Sequence, residues 1–462
     1  MRWADLEGRR VAVWGFGREG RAALNALARH LPGQRIALYC TAEEAEAAGN
    51  AFPSVDVHGI APDADALASY DIVIKSPGIS AYKPELLEAR ARGTRVTSGS
   101  ALWFASHVGA RTVAVTGTKG KSTTSALIAH LARSLGVRTA LAGNIGMPML
   151  ELDEGDADLW VIELSSFQTG EAMGVDLGVV TSLYEEHLDW HGSRERYVDD
   201  KLKLLAASAK VLVNAMQPAL LARAEDHPGL HTFGDRRGWH VADGWIRRGD
   251  ENIVRTDRLS APGLHNAINA SAALAALEIM GHDARAAAPA LSTFVPLPHR
   301  LQPLGERDGL SWINDSISTT PLASLAALES VGATRTALII GGHDRGLDWT
   351  PFVEAMRLLA SATTGEAGAA HVPEAIVCQG ANGPRIADAL EAANVANVYR
   401  ATDLAAAVAA ARAALGGEGC VLLSPGAPSF DQFHDYTERG KRFAELAGFE
   451  ARAASIQGLG IA

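Results

Sequence analysis

Cysteine is scarce. Only Cys40, Cys378 and Cys420 occur in 462 residues. Three widely spaced thiols make neither a metal-binding pattern nor a disulfide framework, so buried free thiols are expected. Long apolar runs are missing too. No uncharged apolar stretch reaches the ~18 residues of a membrane-spanning helix. The opening segment Met1–Glu7 becomes charged before an apolar run forms, so no signal peptide and a cytoplasmic location are expected. Positive charge is in deficit, with Lys+Arg 42 against Asp+Glu 53. A net charge of −11 argues against a general nucleic-acid binder. It leaves room for a local basic pocket that takes a small anion.

Apolar material is plentiful at 47%, with 21% charged residues, which excludes a disordered chain. The length predicts about three domains at ~150 residues each. Apolar runs with strand character are Arg10–Trp14, Arg35–Tyr39, Asp71–Lys75, Thr112–Thr116, Trp160–Leu164, Leu177–Thr181, Lys210–Asn214, Thr336–Ile340, Ala375–Cys378 and Gly419–Leu423. Helical patterns such as Arg21–Leu31, Ala126–Leu135 and Ala267–Met280 lie between them. That alternation predicts doubly wound parallel α/β sheets. Pro289, Pro296, Pro298 and Pro303 mark a boundary. The expected division is 1–105, Rossmann-like; 106–297, a phosphate-loop ATPase-type domain around a parallel sheet; and 298–462, a second Rossmann-like domain.

Chemistry concentrates in Thr116-Gly117-Thr118-Lys119-Gly120-Lys121-Ser122-Thr123, between a strand and a helix. Glycines let backbone amides face phosphates, and the helix start adds positive potential. Lys121 can reach the β- and γ-phosphates, and a Ser122 or Thr123 hydroxyl can join a Mg²⁺ shell. A solvated Gly/Lys loop is the plainer alternative. Gly15-Phe16-Gly17-Arg18-Glu19-Gly20 fits G-x-G-x-x-G, yet no acidic residue ends the second strand, where an NAD ribose would need one. Another diphosphate, such as a nucleotide sugar, fits that loop, as does a merely structural turn. Glu163, at a strand end, suits a Mg²⁺ ligand or water positioner. His187 stands in Glu185–His191, as open to a structural role as to ligation. Lys201 reads as a solvated helix lysine from its neighbours alone. Asn266 and Asn269 share a helix face, or one of them is a cap. Arg300 sits in the proline-rich boundary, where an Arg suits a transferring phosphate. Asp315 follows another strand.

The order of these pieces resembles the muramyl-peptide (Mur) ligases. It runs G-T-x-G-K-S-T, G-N-I-G (Gly143–Gly146), E-L-S-S-F-Q, E-x-H-x-D, H-N-x-x-N, L-P-H-R, N-D-S and S-P-x-x-x-S-x-D-Q-F. Ser165–Gln168 and Ser424–Phe433 resemble the glutamate-adding type. The resemblance spans Gly15 to Arg439. It implies a three-domain enzyme that uses ATP to join glutamate to UDP-N-acetylmuramoyl-L-alanine through an acyl phosphate. It further implies nucleotide contacts at Gly117, Thr118, Lys119, Gly120, Lys121, Ser122, Thr123, Asn266, Asn269, Arg300 and Asp315. Metal contacts are implied at Ser122, Glu163, His187 and Lys201. The last matches a lysine that is carbamylated in the family, contrary to the solvated reading. Lys121, Glu163, His187 and Lys201 are the implied catalytic set. Substrate contacts are implied at Gly17, Arg18, Ser76, Asn144, Ser165, Gln168, Thr319, Arg345, Ser429 and Tyr436.

Two departures stand out. Lys119 replaces the usual Asn of the phosphate loop. After Asn314-Asp315-Ser316, Ile317-Ser318-Thr319-Thr320-Pro321 replaces the usual Lys-Ala-Thr-Asn, so a cation is lost on the acceptor side. The Trp14–Arg21 segment resembles a subtype of the family that adds L-glutamate and relies on a separate epimerase; together these favour L-glutamate, with the same ligase adding D-glutamate as the alternative. A monomer is expected. A folate polyglutamate ligase and a non-enzymatic nucleotide-binding module are the rival readings.

Overall fold

The computed structural model describes every residue except 184–192, 262, 333, 362–371, 451–455 and 457, and the side chains of 194 and 361. The chain forms two compact units, Met1–Ser260 with Leu264–Phe294 and Gly458–Ala462, and Ala261–Gly263 with Val295–Gln457.

The first unit holds two parallel α/β sheets. In the first, β1 (Val11–Trp14), β2 (Ile36–Tyr39), β3 (Asp56–His58), β4 (Ile72–Lys75) and β5 (Arg95–Thr97) lie in the order β3-β2-β1-β4-β5. The order reverses between β1 and β4, where Trp14 lies opposite Lys75. Loops after these strands therefore frame the crevice that such sheets offer ligands. In the second, β6 (Thr112–Thr116), β7 (Thr139–Gly143), β8 (Leu159–Glu163), β9 (Val175–Val180), β10 (Ser208–Asn214) and β11 (Leu230–Phe233) pair in parallel, with β6 between β8 and β9. Strands buried on both faces carry continuous apolar runs, which explains Val113–Val115 and Leu159–Ile162. β12 (Trp239–Ala242), β13 (Trp245–Arg248) and β14 (Glu251–Arg255) form a small antiparallel sheet. Helix Leu264–Ile279 packs on helix Lys121–Ser134.

The second unit is one sheet, β15 (Gln302–Arg307), β16 (Leu310–Asn314), β17 (Thr336–Ile340), β18 (Ala375–Cys378), β19 (Val398–Arg400) and β20 (Gly419–Leu423), in the order β15-β16-β20-β17-β18-β19. Among the described residues of this sheet only β15 pairs antiparallel. Alternate residues feed two cores, Ala337 and Ile339 to one face and Leu338 and Ile340 to the other. The final short strand, β21 (Gly460–Ile461), pairs with β7 in the first unit.

All three cysteines are buried and free, as expected. Burial pushes the Cys378 thiol up to about 12, so it is inert at neutral pH. The phosphate-loop helix starts at Lys121 rather than Ala126, because Gly120 caps it in the left-handed region. Its first turn is polar, and apolar periodicity therefore misses it. Among the described residues no helix is long and apolar enough to cross a membrane.

Candidate active site

Sheet order brings three strand ends together. β6 runs into Gly117–Gly120, β8 into Glu163–Gln168 and β9 into Thr181–Leu183. The phosphate loop is bound to its β9 neighbour. Thr118 N donates to the Ser182 carbonyl at 2.8 Å, and Lys119 N to Ser182 Oγ at 2.8 Å. Thr181 Oγ1 donates to the Lys119 carbonyl at 2.6 Å. Gly117 has φ +145°, and a Cβ there would stand 2.1 Å from Thr181 Oγ1. The loop therefore requires glycine for both conformation and space. Lys121 Nζ donates to the Thr118 carbonyl at 3.0 Å, folded across the loop. Ser122 is buried and Thr123 half-buried in the first helical turn. Asn266 and Asn269 are buried on the helix packed alongside, and Asn269 Oδ1 accepts from Thr124 Oγ1 at 3.4 Å.

Glu163 is 1% exposed. Its Oε1 accepts from Asn144 Nδ2 at 2.7 Å, and its Oε2 is buried without a hydrogen-bond partner among the described residues. A buried carboxylate oxygen left unpaired is costly. A divalent cation would complete it, and Mg²⁺ is commonly held by one or two carboxylates together with substrate phosphates. The donor set of Glu163, the Ser122 hydroxyl and the phosphate loop fits Mg²⁺ and a nucleotide triphosphate. His187 lies outside the described residues.

Lys201 contradicts the solvated reading. It is 2% exposed, and its Nζ donates to the Gly117 carbonyl at 3.0 Å over the Tyr197 ring. Helix Arg194–Ala206 turns this residue towards the phosphate loop, which its charged sequence neighbours conceal. Tyr197 also hydrogen-bonds Thr118 Oγ1 through its hydroxyl at 2.8 Å. Tyr197, Thr181 and Ser182 escaped the sequence reading, because only strand order reveals that β9 borders β6.

The first-sheet crevice contains Gly17 and Ser76. Ser76 Oγ donates to the Gly15 carbonyl at 3.4 Å, and a Cβ on Gly20 would lie 1.9 Å from that oxygen. Arg18 donates to the Gly146 carbonyl at 3.0 Å, joining this loop to Gly143–Gly146. Ser165 and Gln168 are bonded to each other, and Gln168 Nε2 donates to Ser100 Oγ at 3.0 Å. Behind them lies a buried charge cluster. Lys75 Nζ stands 3.8 Å from Glu171, which also accepts from Ser98 Oγ at 2.5 Å. Burial lowers the Lys75 pKa and raises that of Glu171. Burial first, then the Glu171 charge, raises the Glu19 pKa to about 7.

In the second unit, the loops after β16, β17 and β20 share the sheet's carboxyl edge. Asp315 accepts from Leu301 N at 3.1 Å and Ser424 Oγ at 2.7 Å. Arg300 and Thr319 are half-buried nearby in sequence, and Ser429 is 2% exposed. Buried Arg439, another residue missed from sequence, ties these loops. Its guanidinium donates to Ser316 Oγ and O, Ala427 O and Pro428 O at 2.8–3.1 Å. Burial lowers its pKa to about 10, so it stays charged at pH 7. Ser316 Oγ donates to the carbonyl of Tyr436. Arg345 stands over the Phe430 ring.

A phosphate loop beside a buried carboxylate whose second oxygen lacks a hydrogen-bond partner among the described residues fits a nucleotide-and-metal site. The pattern of the Mur ligase middle domain matches residues 115–277, and that of the Mur ligase glutamate ligase domain matches 299–427. The chain belongs to the Mur ligase family. It is 48% identical to the UDP-N-acetylmuramoyl-L-alanine--L-glutamate ligase of Xanthomonas euvesicatoria pv. vesicatoria, over 100% of both chains. It is 40% identical to the ligase of the same name from a Micromonospora species, over 98% of this chain and 100% of that one. Among solved structures, the Thermotoga maritima UDP-N-acetylmuramate-alanine ligase matches in fold with TM-score 0.61 and 20% identity, over 95% of this chain and 99% of that one. The ADP complex of Mycobacterium tuberculosis folylpolyglutamate synthase matches at TM-score 0.53 and 14% identity, over 70% and 90%.

Proposed function

We propose that this chain is an ATP-dependent ligase that adds L-glutamate to UDP-N-acetylmuramoyl-L-alanine in peptidoglycan precursor synthesis, through an acyl phosphate. The incomplete Glu163 carboxylate beside the phosphate loop carries the reading, and full-length identity to named L-glutamate ligases supports it. ATP phosphates are assigned to Gly117, Thr118, Lys119, Gly120, Lys121, Ser122 and Thr123. Asn266, Asn269, Arg300 and Asp315 are assigned to the rest of the nucleotide. Lys121 stabilises charge on the transferring phosphoryl group. Mg²⁺, when bound, neutralises phosphate charge, and Ser122, Glu163, His187 and Lys201 are its assigned holders. Lys201 would serve as a carbamate, turning a positive group into a negative one. Gly17, Arg18, Ser76, Asn144, Ser165 and Gln168 are assigned to the sugar nucleotide and its alanine. Thr319, Arg345, Ser429 and Tyr436 are assigned to glutamate, whose amine attacks the activated carbonyl. The enzyme is read as a cytoplasmic monomer whose product feeds an epimerase.

The test is phosphate release that requires both UDP-N-acetylmuramoyl-L-alanine and glutamate. kcat/KM for L-glutamate should exceed that for D-glutamate by tenfold or more, about 1.4 kcal/mol of transition-state discrimination. A D preference would overturn the enantiomer and leave the ligase. Turnover with a folate acceptor instead would overturn the acceptor assignment.

A further inference from the structure

The loops after β17 and β20 are joined through the backbone. Gly341 N donates to the Pro425 carbonyl at 2.7 Å and His343 N to the Pro428 carbonyl at 2.9 Å. Phe430 stands at this seam, directly after buried Ser429, and is 57% exposed. An aromatic ring so exposed contributes little to the core, but its faces are engaged. The Arg345 guanidinium carbon lies 5.7 Å from the ring centroid, within cation–π range. The His343 ring meets it edge-on, with centroids 6.3 Å apart and planes at 72°. Asp344, the acid next to Arg345, is already taken by Arg385 through Oδ1 at 2.8 Å and Oδ2 at 3.1 Å. Among the described residues Arg345 has no hydrogen bond or ion pair, and it rests over the Phe430 ring.

A cation–π contact orients a guanidinium without using its N–H groups. Arg345 is thus biased toward one direction while its donor fork stays available for a carboxylate. We infer that Phe430 is a specificity-determining positioning residue: its ring fixes Arg345, and Arg345 then fixes where one carboxylate of the incoming amino acid sits. Three points define handedness at the α-carbon. They are the amine aimed at the activated carbonyl, one carboxylate on Arg345, and the other carboxylate elsewhere in the pocket. A long, unrestrained arginine could follow the carboxylate of either enantiomer. An arginine biased toward one direction pairs better with one enantiomer's carboxylate than with the other's, which is a difference in affinity. This inference rests on the reading of the site as a glutamate pocket.

The experiment compares wild type, Phe430→Ala and Phe430→Tyr by phosphate release with each glutamate enantiomer, ATP and UDP-N-acetylmuramoyl-L-alanine. Phe430 is exposed, so neither variant should disturb folding. Phe430→Ala should lower the L-to-D ratio of kcat/KM about two- to fivefold, the scale of one exposed cation–π contact, mainly through a higher KM for L-glutamate. KM for ATP and for the sugar nucleotide should stay within twofold. Phe430→Tyr keeps the ring and should keep the ratio within twofold. A ratio unchanged by Phe430→Ala overturns the inference alone. So does a tyrosine variant that behaves like the alanine variant, or a loss spread equally over all three substrates. Wild-type enzyme with no glutamate-dependent phosphate release overturns the functional reading itself, and this inference with it.

Discussion

Glu163 and Lys201 are buried ionisable groups that a folded chain retains only for a reason. Glu163 offers an oxygen unpaired among the described residues, and Lys201 holds the Gly117 carbonyl. Lys201→Ala should lower kcat by about a hundredfold or more, the scale of removing a charge from a transfer site. Bicarbonate should not restore it. Full activity in that variant would remove Lys201 from the catalytic set. Glu19 gives a pH test. Its folded pKa, about 7, lies above the ordinary 4.5. Between those values the folded state binds more protons than the unfolded one, so stability falls as pH rises through that window. Glu19→Gln removes the titration. The variant should melt higher than wild type at pH 8, and the gap should shrink at pH 5. Melting curves at both pH values check it, and an equal gap would show that Glu19 does not titrate there.

At the scale of elements, the strand-end loops act as rigid holders. Gly117→Ala must relieve both its positive φ and a clash with Thr181. Strain of about 1–3 kcal/mol at the loop is expected. ATP should then give much less thermal protection than in wild type, while the rest of the fold persists. Calorimetry with and without ATP reads this directly. Arg439 performs the same service in the second unit. Arg439→Met would strip a donor from the carbonyls of Ser316, Ala427 and Pro428. KM for glutamate should rise at least tenfold, well beyond any change in KM for ATP. Equal changes in both would reduce Arg439 to general stability.

At the scale of the whole molecule, Gly458–Ala462 belongs with the first unit although it follows the second in sequence. Thr139 N donates to the Ala462 carbonyl at 2.7 Å, and Arg133 donates to the carbonyls of Gly458 and Gly460 at 2.7 and 2.9 Å. Deleting 458–462 uncovers the β7 edge and should cost about 1–3 kcal/mol. A lower unfolding midpoint with unchanged KM for glutamate is the expected outcome in denaturant melts.

The sequence by itself determined the α/β class, most strands and the phosphate loop. Thr112–Thr116, Thr336–Ile340, Ala375–Cys378 and Gly419–Leu423 coincide with strands because doubly buried strands must be continuously apolar. The loop was legible because glycine and lysine at fixed spacing after a strand reflect local geometry. The order of short motifs also pointed to the family, and the preference for L-glutamate agrees with the names of the relatives. Only the tertiary structure decided what borders what. Lys201 read as solvated because a helix residue's neighbours in sequence say little about which face is buried. Tyr197, Ser182, Arg439 and Phe430 lie on elements far from their partners along the chain. Their roles arise from strand order and loop adjacency, which are non-local and leave no spacing to read.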